Sequence, residues 1–423
     1  EKYGMSAVLS QSDMHGEGKH LAPAHGANNR LLSMLGGYTI QMRNLDSWEG
    51  YTWGSKHVWG CEPVGEMQPS ANLYPDIAQH TEMLLFWGCD PETTPHPIQG
   101  MFASRLCYWL TELGLKSVYI CPDLNYGAAV HADKWIPILP GTDAALQLAI
   151  AHVWITEESY DKEYIATHSY GFDKFEDYVL GRGDSVPKTP AWAAEKCGVA
   201  EWTIKALARE WANRTTSLIH GNGGPGIRAP YSTEPARLEA MLLGMQGLGK
   251  PGVHQAKMIE WWLWSEWYPL PYQGKVRFQL PQDAEAVRPA GGMEPNELMP
   301  PLYSGDHPEV REFTRLADYP PLQSIPKCLV PDAILSPPIS WWGLRTFCGP
   351  VEEQFVEHTF PAEGCSEIHM IWTDSPCWIT CWNDSNSFIR ALQQPSIECI
   401  VAQHAWLEND CLMADLVLPG STR

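Results

Sequence analysis

Short β-rich runs alternate along this chain with amphipathic stretches of helical period, and that alternation restricts the fold more than any single motif does. Ala7 to Ser10 reads as a strand, Ala27 to Leu35 as a helix, Glu82 to Trp87 as a strand, Gln99 to Leu113 as a helix, Ser117 to Cys121 as a strand and Thr142 to Thr156 as a helix. A helical excursion covers 172 to 212, with apolar periodicity from Trp202 to Trp211. Ser217 to His220 then returns as a strand, and Pro235 to Gly247 follows as a helix. Regular α/β pattern resumes with Glu367 to Trp372, Ser387 to Gln393, Cys399 to Ala402 and the Ala414-Asp-Leu-Val-Leu-Pro run. Parallel strands need crossover helices. The expected fold is therefore α/β, with Rossmann-like doubly wound domains and mostly parallel sheets. From Pro281 to Pro338 the chain is Pro-rich without clear periodicity, and this stretch reads as a long surface or cavity-covering segment.

At 423 residues the chain exceeds one ordinary hydrophobic core, so more than one domain is expected. The expected division is 1–60 with 255–423 as a discontinuous α/β domain and 61–254 as an inserted one. A net charge of −21, from 29 basic and 50 acidic residues, argues against nucleic acid as a partner, since phosphate binding draws on a surplus of Lys and Arg. No stretch approaches the ~20 apolar residues that cross a bilayer. The 12 Cys show no paired CxxC spacing, and Cys377 to Cys381 is a CxxxC without a second half, so neither zinc nor an iron–sulfur cluster is signalled. Free thiols in a reducing, cytoplasmic compartment are expected. The chain opens on Glu-Lys-Tyr-Gly and stops at Leu-Pro-Gly-Ser-Thr-Arg, so both ends read as internal to a longer protein, and a targeting segment would lie upstream.

In open parallel sheets ligands bind at the carboxyl ends of strands, so the residues just after each strand are the informative ones. Here they are polar. Trp87-Gly-Cys-Asp90-Pro-Glu92-Thr93 follows one strand, Pro122-Asp123-Leu-Asn125 another, and Pro140-Gly141-Thr142-Asp143 opens a helix. Asp123 above all suits bidentate contact with ribose hydroxyls or a guanine edge, whereas Thr142 and Asp143 could each simply cap a helix. His220-Gly-Asn-Gly223-Gly-Pro-Gly is a Gly-rich turn between strand and helix, suited to an anion but lacking the GxGxxG spacing of a nicotinamide-binding unit. The other half echoes this pattern with Trp372-Thr-Asp374-Ser, Trp382-Asn383-Asp-Ser-Asn and Ala402-Gln403-His. Two nucleotide-binding halves around a Trp-lined cavity imply a double dinucleotide cofactor. Between them Asn44 to Gly60 sets one hydroxyl, Ser47, among an acid and several indoles. By spacing alone Asp46 and Glu49 also read as a capping box.

These blocks together resemble the molybdopterin domain of the dimethyl sulfoxide reductase family, and most closely its polyphenol transhydroxylases. The resemblance is carried by Asp-Ser-Trp-Glu-Gly at 46–50 with Trp53-Gly54 and Trp59-Gly60, the Trp87 to Thr93 turn, and Ala132-Asp-Lys-Trp135 leading to Gly141-Thr-Asp143. It continues through Ser159 to Tyr164, Gly247-Leu-Gly-Lys-Pro-Gly252 and Ala414 to Pro419, and is thin from about 253 to 365. It implies a bis-molybdopterin guanine dinucleotide cofactor holding molybdenum, with tungsten as the possible alternative. Ser47 would be the metal's protein ligand, and His15 and Asp46 would be the base and acid facing substrate. Trp48, Trp87, Asp90, Glu92, Thr93, Asp123, Gly141, Thr142, Asp143, Gly223, Trp372, Asp374, Asn383 and Gln403 would contact the cofactor. A substrate-side Trp of the family is replaced near Pro225, and the substrate-contacting Tyr falls in Trp261 to Tyr272, with Tyr268 and Tyr272 as candidates.

The function so implied is hydroxyl transfer or dehydroxylation on a polyphenolic ring, with an iron–sulfur small subunit as the partner that such large subunits take. Two alternatives share the fold. One is an anaerobic respiratory oxidoreductase acting on a small oxyanion or organic oxide; the other is a non-catalytic subunit of an electron-transfer complex. A polar trio of Ser47, Asp46 and His15 among tryptophans argues against the last, because an empty cradle has no use for it.

Overall fold

The computed structural model describes residues 2–11, 24–42, 50–51, 54, 57–58, 73–93, 102–220, 231–257, 322–343, 355–374 and 376–420. In chain order its strands are β1 (Val8–Gln11), β2 (Thr39–Met42), β3 (Met83–Trp87), β4 (Lys116–Ile120), β5 (Lys134–Ile136), β6 (Thr216–His220) and β7 (Gln255–Lys257). They continue with β8 (Gln323–Pro326), β9 (Ile339–Trp342), β10 (Glu357–Phe360), β11 (Met370–Thr373), β12 (Cys399–His404) and β13 (Leu416–Pro419). The chain divides into two compact units, Glu1–Asp46 with Glu294–Arg423 and Ser47–Met293. The 254/255 boundary expected from sequence falls just before β7, which pairs with β6 inside the second unit's sheet.

The unit Ser47–Met293 is built on a five-stranded sheet in the order β5-β4-β3-β6-β7, parallel throughout. Counted within the sheet, that is the 3-2-1-4-5 order of a Rossmann half, with its switch point between β3 and β6. β3 explains why its sequence, Met-Leu-Leu-Phe-Trp, is apolar without alternation. Met83, Leu85 and Trp87 face a core with the helices Asp143–Thr156, Pro190–Cys197, Glu201–Ala212 and Thr233–Met245, while Leu84 and Phe86 face a second core with the helices Leu73–His80 and Phe102–Glu112. A central strand covered on both faces has no solvent side to be polar on. The helix Asp143–Thr156 is apolar on nearly all faces for the same reason, and each fully buried aliphatic side chain on it contributes about 2 kcal/mol by burial. Its Trp154 stacks edge-on against Trp211 at 5.0 Å between ring centres and donates its indole N–H to the Ala208 carbonyl at 2.7 Å, so even this largest side chain leaves no donor unmet.

The other unit carries a six-stranded sheet, β13-β12-β11-β1-β2-β8, again parallel throughout. Its internal order is 6-5-4-1-2-3, the full Rossmann order, and the switch point lies between β1 and β11. Leu9, Ile325, Ile371 and Ile400 face one core with the helices Val330–Leu335 and Ser385–Leu392. Val8, Ile40, Met370 and Trp372 face the other, beneath the helix Ala24–Met34. β8 is a departure from the sequence reading, because it lies within the Pro-rich stretch taken for an irregular covering segment. It tolerates Pro326 because it is an edge strand and Pro326 is its last residue. β9 and β10 form a separate antiparallel pair. No helix among the described residues is long and apolar enough to cross a membrane.

Candidate functional site

Parallel strands put all their carboxyl ends on one edge, so the polar turns read from the sequence converge there within each unit. In the unit Ser47–Met293 the edge begins with Trp87, the last residue of β3, whose indole N–H donates to Asp143 Oδ1 at 2.8 Å. Both are buried, at 1% and 5% exposure. Asp143 is the first residue of its helix, where a carboxylate meets the positive end of the helix dipole. Burial nevertheless holds its carboxyl above the usual range, against the opposing bonds from Trp87 and from its own backbone N–H. Thr142 occupies the cap position but makes no capping bond; its hydroxyl donates instead to the Leu139 carbonyl at 2.6 Å. Gly141 beside it is exposed in the left-handed region, at φ 74°, with open space around it.

The turn after β3 is tied to itself and to the next helix. Asp90 Oδ1 accepts from the backbone N–H of Glu92 at 3.1 Å and of Gly127 at 2.9 Å, and Thr93 donates its hydroxyl to Oδ2. A Cβ on Gly127 would stand 3.0 Å from that carboxylate oxygen, so glycine permits the approach. The Glu92 carboxylate lies 2.6 Å from His131 Nε2 and accepts from the Ser104 hydroxyl at 2.9 Å. Asp90, Glu92 and Thr93 are thus brought together as a knot that fixes the strand-end turn. His131 and Ser104, which hold it from 39 and 12 residues away, gave no local signal in the sequence. Asp123 differs. It is exposed, and its carboxylate makes no hydrogen bond among the described residues; only its backbone carbonyl is used, by Asn125 N–H at 2.9 Å and the Cys121 thiol at 3.2 Å.

The helix Thr233–Met245 starts three residues after the Gly-rich segment 221–230, and two buried polar atoms beside its first turn have no partner among the described residues. Ser232 Oγ, at the cap position, is buried without a partner, because the third helical residue whose N–H it would accept from is Pro235. Gln147 donates its amide N–H to the Pro235 carbonyl at 3.0 Å and leaves its own amide oxygen buried and unmet. Deeper in, Glu239 accepts from the Gln255 amide at 2.7 Å, and burial raises its carboxyl to about 8. Buried polar atoms without partners are uncommon and suit a site that a ligand completes.

In the other unit the switch point is marked by Gln11 at the end of β1, which accepts through Oε1 from the Thr373 hydroxyl at the end of β11. Its carbonyl accepts from the Asp374 N–H at 3.2 Å, and Asp374 is buried. Trp372 turns its ring toward the core under Ala24–Met34, with an indole N–H that finds no acceptor among the described residues. Gln41, on β2, accepts from the Trp378 indole at 2.7 Å, and Asp410 accepts from the Trp378 and Ile379 backbone, with burial raising its carboxyl. Asn383 is exposed and Gln403 half-buried. Gln11 and Gln41 were missed by the sequence reading, although a glutamine near the end of a buried strand is itself a signal.

His15, Asp46, Ser47, Trp48, Gly223, Pro225, Tyr268, Tyr272 and the aromatic cluster at 261–267 lie outside the described residues. Among the described residues no group of three or more His, Cys, Asp or Glu is placed to hold a metal ion.

Comparison with known proteins follows this geometry. The profile of the family "Molybdopterin oxidoreductase" matches residues 26–423. The chain is 35% identical to the pyrogallol hydroxytransferase large subunit of Pelobacter acidigallici, over 99% of this chain and 47% of that protein. It is 33% identical to the dimethyl sulfoxide/trimethylamine N-oxide reductase of Rhodobacter capsulatus, over 45% of this chain and 23% of the reductase. The solved structure of acetylene hydratase from Pelobacter acetylenicus covers 99% of this chain, with half of its own length, at 17% identity and a TM-score of 0.51, a likeness of fold. The chain therefore spans about half the length of the relative that it matches from end to end.

Proposed function

We infer the function from one premise: the chain belongs to the molybdopterin oxidoreductase family. The reading is molybdenum-dependent hydroxyl transfer or dehydroxylation on a polyphenolic ring. The observation that carries it is the 35% identity along 99% of the chain to a protein named for pyrogallol hydroxytransfer. The cofactor is read as two molybdopterin guanine dinucleotides, one for each Rossmann switch point. The residues present fit such a group. Asp123 is an exposed carboxylate free to take ribose hydroxyls or a guanine edge, and Ser232 Oγ and Gln147 Oε1 are buried polar atoms that lack a partner among the described residues. Trp372, Asp374, Asn383 and Gln403 are assigned to the second dinucleotide, and Ser47 would supply the protein oxygen to the metal.

When bound, this group supplies two-electron redox chemistry at an oxygen-accepting centre. The chain's own residues bind, orient and move protons. A phenol with a pKa near ~10 has to lose its proton at neutral pH, and His15, whose type titrates closest to working pH, is the base for the ring hydroxyl. Asp46, adjacent to Ser47 in the chain, returns the proton. A small subunit is the proposed partner, because the relative matched over 99% of this chain is named as a large subunit, and its iron–sulfur character is what the family resemblance implies. Free thiols at Cys89, Cys107, Cys121, Cys197, Cys365, Cys381, Cys399 and Cys411 suit a reducing, cytoplasmic setting.

The test is hydroxyl exchange on trihydroxybenzenes by the holoenzyme, with Ser47→Ala as control. Exchange lost in the variant supports the reading, and activity indifferent to Ser47→Ala counts against it. A second reading, reduction of an organic oxide, draws on the reductases that match about half of the chain. Turnover of trimethylamine N-oxide with a reduced dye, and none of a polyphenol, would favour it.

A further inference from the structure

β3 and β4 pair in register to their last residues, Trp87 against Ile120. Each is followed three residues later by an aspartate, Asp90 and Asp123, so the two carboxyl groups occupy equivalent chain positions beyond the same sheet edge. Their surroundings differ. Asp90 accepts through Oδ1 from the backbone N–H groups of Glu92 at 3.1 Å, Thr93 at 3.4 Å and Gly127 at 2.9 Å, and through Oδ2 from the Thr93 hydroxyl. Those donors use up what a carboxylate can accept, and none of that capacity is left for a ligand. Asp123 is exposed, and its carboxylate meets no donor among the described residues.

One of the Asp90 donors is not local. Gly127 belongs to the helix Tyr126–His131, which begins three residues after Asp123, so this bond crosses from the turn after β3 to the turn after β4. Within the second turn the Asp123 carbonyl accepts from the Asn125 N–H at 2.9 Å and the Cys121 thiol at 3.2 Å, and Asn125 caps the helix by accepting from the Ala128 N–H at 2.8 Å. A second tie leaves the other end of the helix, where His131 Nε2 lies 2.6 Å from the Glu92 carboxylate. Both ends of the helix are thereby fastened to the turn after β3. The first tie needs a residue without a side chain, since a Cβ on Gly127 would stand 3.0 Å from Asp90 Oδ1 and 3.0 Å from Pro91 Cδ.

We propose that Asp90 is a positioning residue and not a nucleotide ligand: through Gly127 it holds the loop after β4 so that the Asp123 carboxylate meets the nucleotide. Glu92 supports the same helix from its far end through His131. This rests on the reading of Asp123 as a nucleotide contact. The two roles ask different things of a side chain. Accepting backbone N–H bonds needs an oxygen and no charge, so Asn can replace Asp90, with its amide turned to the Thr93 hydroxyl. A carboxylate that takes a pair of nucleotide donors cannot be replaced by Asn, which offers one acceptor oxygen.

The experiment compares the wild-type holoenzyme with Asp90→Asn, Asp90→Ala, Asp123→Asn, Asp123→Ala and the double variant Asp90→Ala/Asp123→Ala. Mass spectrometry reads nucleotide per chain, and nucleotide leaving the protein is followed in urea below the unfolding transition, with circular dichroism reporting the fold. Asp90→Ala and both Asp123 variants are expected to release nucleotide about 10-fold faster, whereas Asp90→Asn stays within about 2-fold of wild type. Because Asp90 acts through Asp123, the double variant is expected to release nucleotide no faster than Asp123→Ala alone. Should Asp90→Ala fail to fold, Gly127→Ala disturbs the same contact from the helix side and is expected to show the same dependence on Asp123. Asp90→Asn as damaging as Asp90→Ala makes Asp90 itself a ligand and overturns the proposal. Additive losses in the double variant assign a merely structural role and overturn it too, as does unchanged release in Asp90→Ala. In each of those cases faster release from the Asp123 variants leaves the Asp123 reading standing. Unchanged release from both Asp123 variants overturns that reading and the proposal with it.

Discussion

Glu239→Gln tests whether the helix behind the Gly-rich segment is docked by a neutral carboxyl. Glu239 is 4% exposed, accepts one hydrogen bond from Gln255, and has its carboxyl raised from 4.5 to about 8 by burial. In the unfolded chain it ionises near 4.5, so between pH 4.5 and 8 the folded protein holds the extra proton. Stability then falls as pH rises across that window, by about 1.4 kcal/mol per pH unit. The loss accumulates to about 3 kcal/mol at pH 7 and about 5 kcal/mol by pH 9, as order-of-magnitude values. Gln keeps an acceptor for Gln255 and cannot ionise. Denaturant unfolding at pH 5, 7 and 9 should therefore show the variant drawing ahead of wild type as pH rises, with the two nearly equal at pH 5. Parallel pH profiles would refute the argument, since they would mean that Glu239 is solvated or already charged in the fold.

Two further outcomes follow from the strand-end geometry. Trp87→Phe keeps the ring but removes the indole donor from a buried carboxylate, so thermal or denaturant unfolding should show a loss of about 1–3 kcal/mol. Because the Trp87 bond favours the ionised carboxyl of Asp143 against the burial that raises it, that loss should grow as pH rises through the range where the folded carboxyl ionises. Asp123→Asn should leave stability within about 0.5 kcal/mol, as befits an exposed side chain. Nucleotide content per chain should nonetheless drop measurably, and unchanged content would remove Asp123 from the site.

Long apolar strands and their helices were readable because burial on both faces writes an uninterrupted run, as in Met83 to Trp87, and because a buried helix such as Asp143–Thr156 is longer than any strand. Four of the short strands were not. β2 is four residues with a glutamine inside it, β5 and β7 are three residues each, and β8 ends on proline, so each is formed by pairing with neighbours rather than by its own preference. Strand order is invisible in one sequence, yet it is what turns two sets of strands into two Rossmann switch points. The polar strand ends were legible as residue types, but their partners were not. Asp90 is answered by Gly127, Glu92 by His131 and Trp87 by Asp143, at separations of 37, 39 and 56 residues. Gly54 looked like one member of a Trp-Gly pair until the Thr233 carbonyl was found against it.

The most direct measurement is the ratio of nucleotide to metal in the purified holoprotein, with acid-released guanosine monophosphate quantified against molybdenum and tungsten on the same sample. Two sheets with one switch point apiece predict two guanosine monophosphates for each metal atom. A single nucleotide per metal, or metal with none, would contradict the assignment of a dinucleotide to both halves.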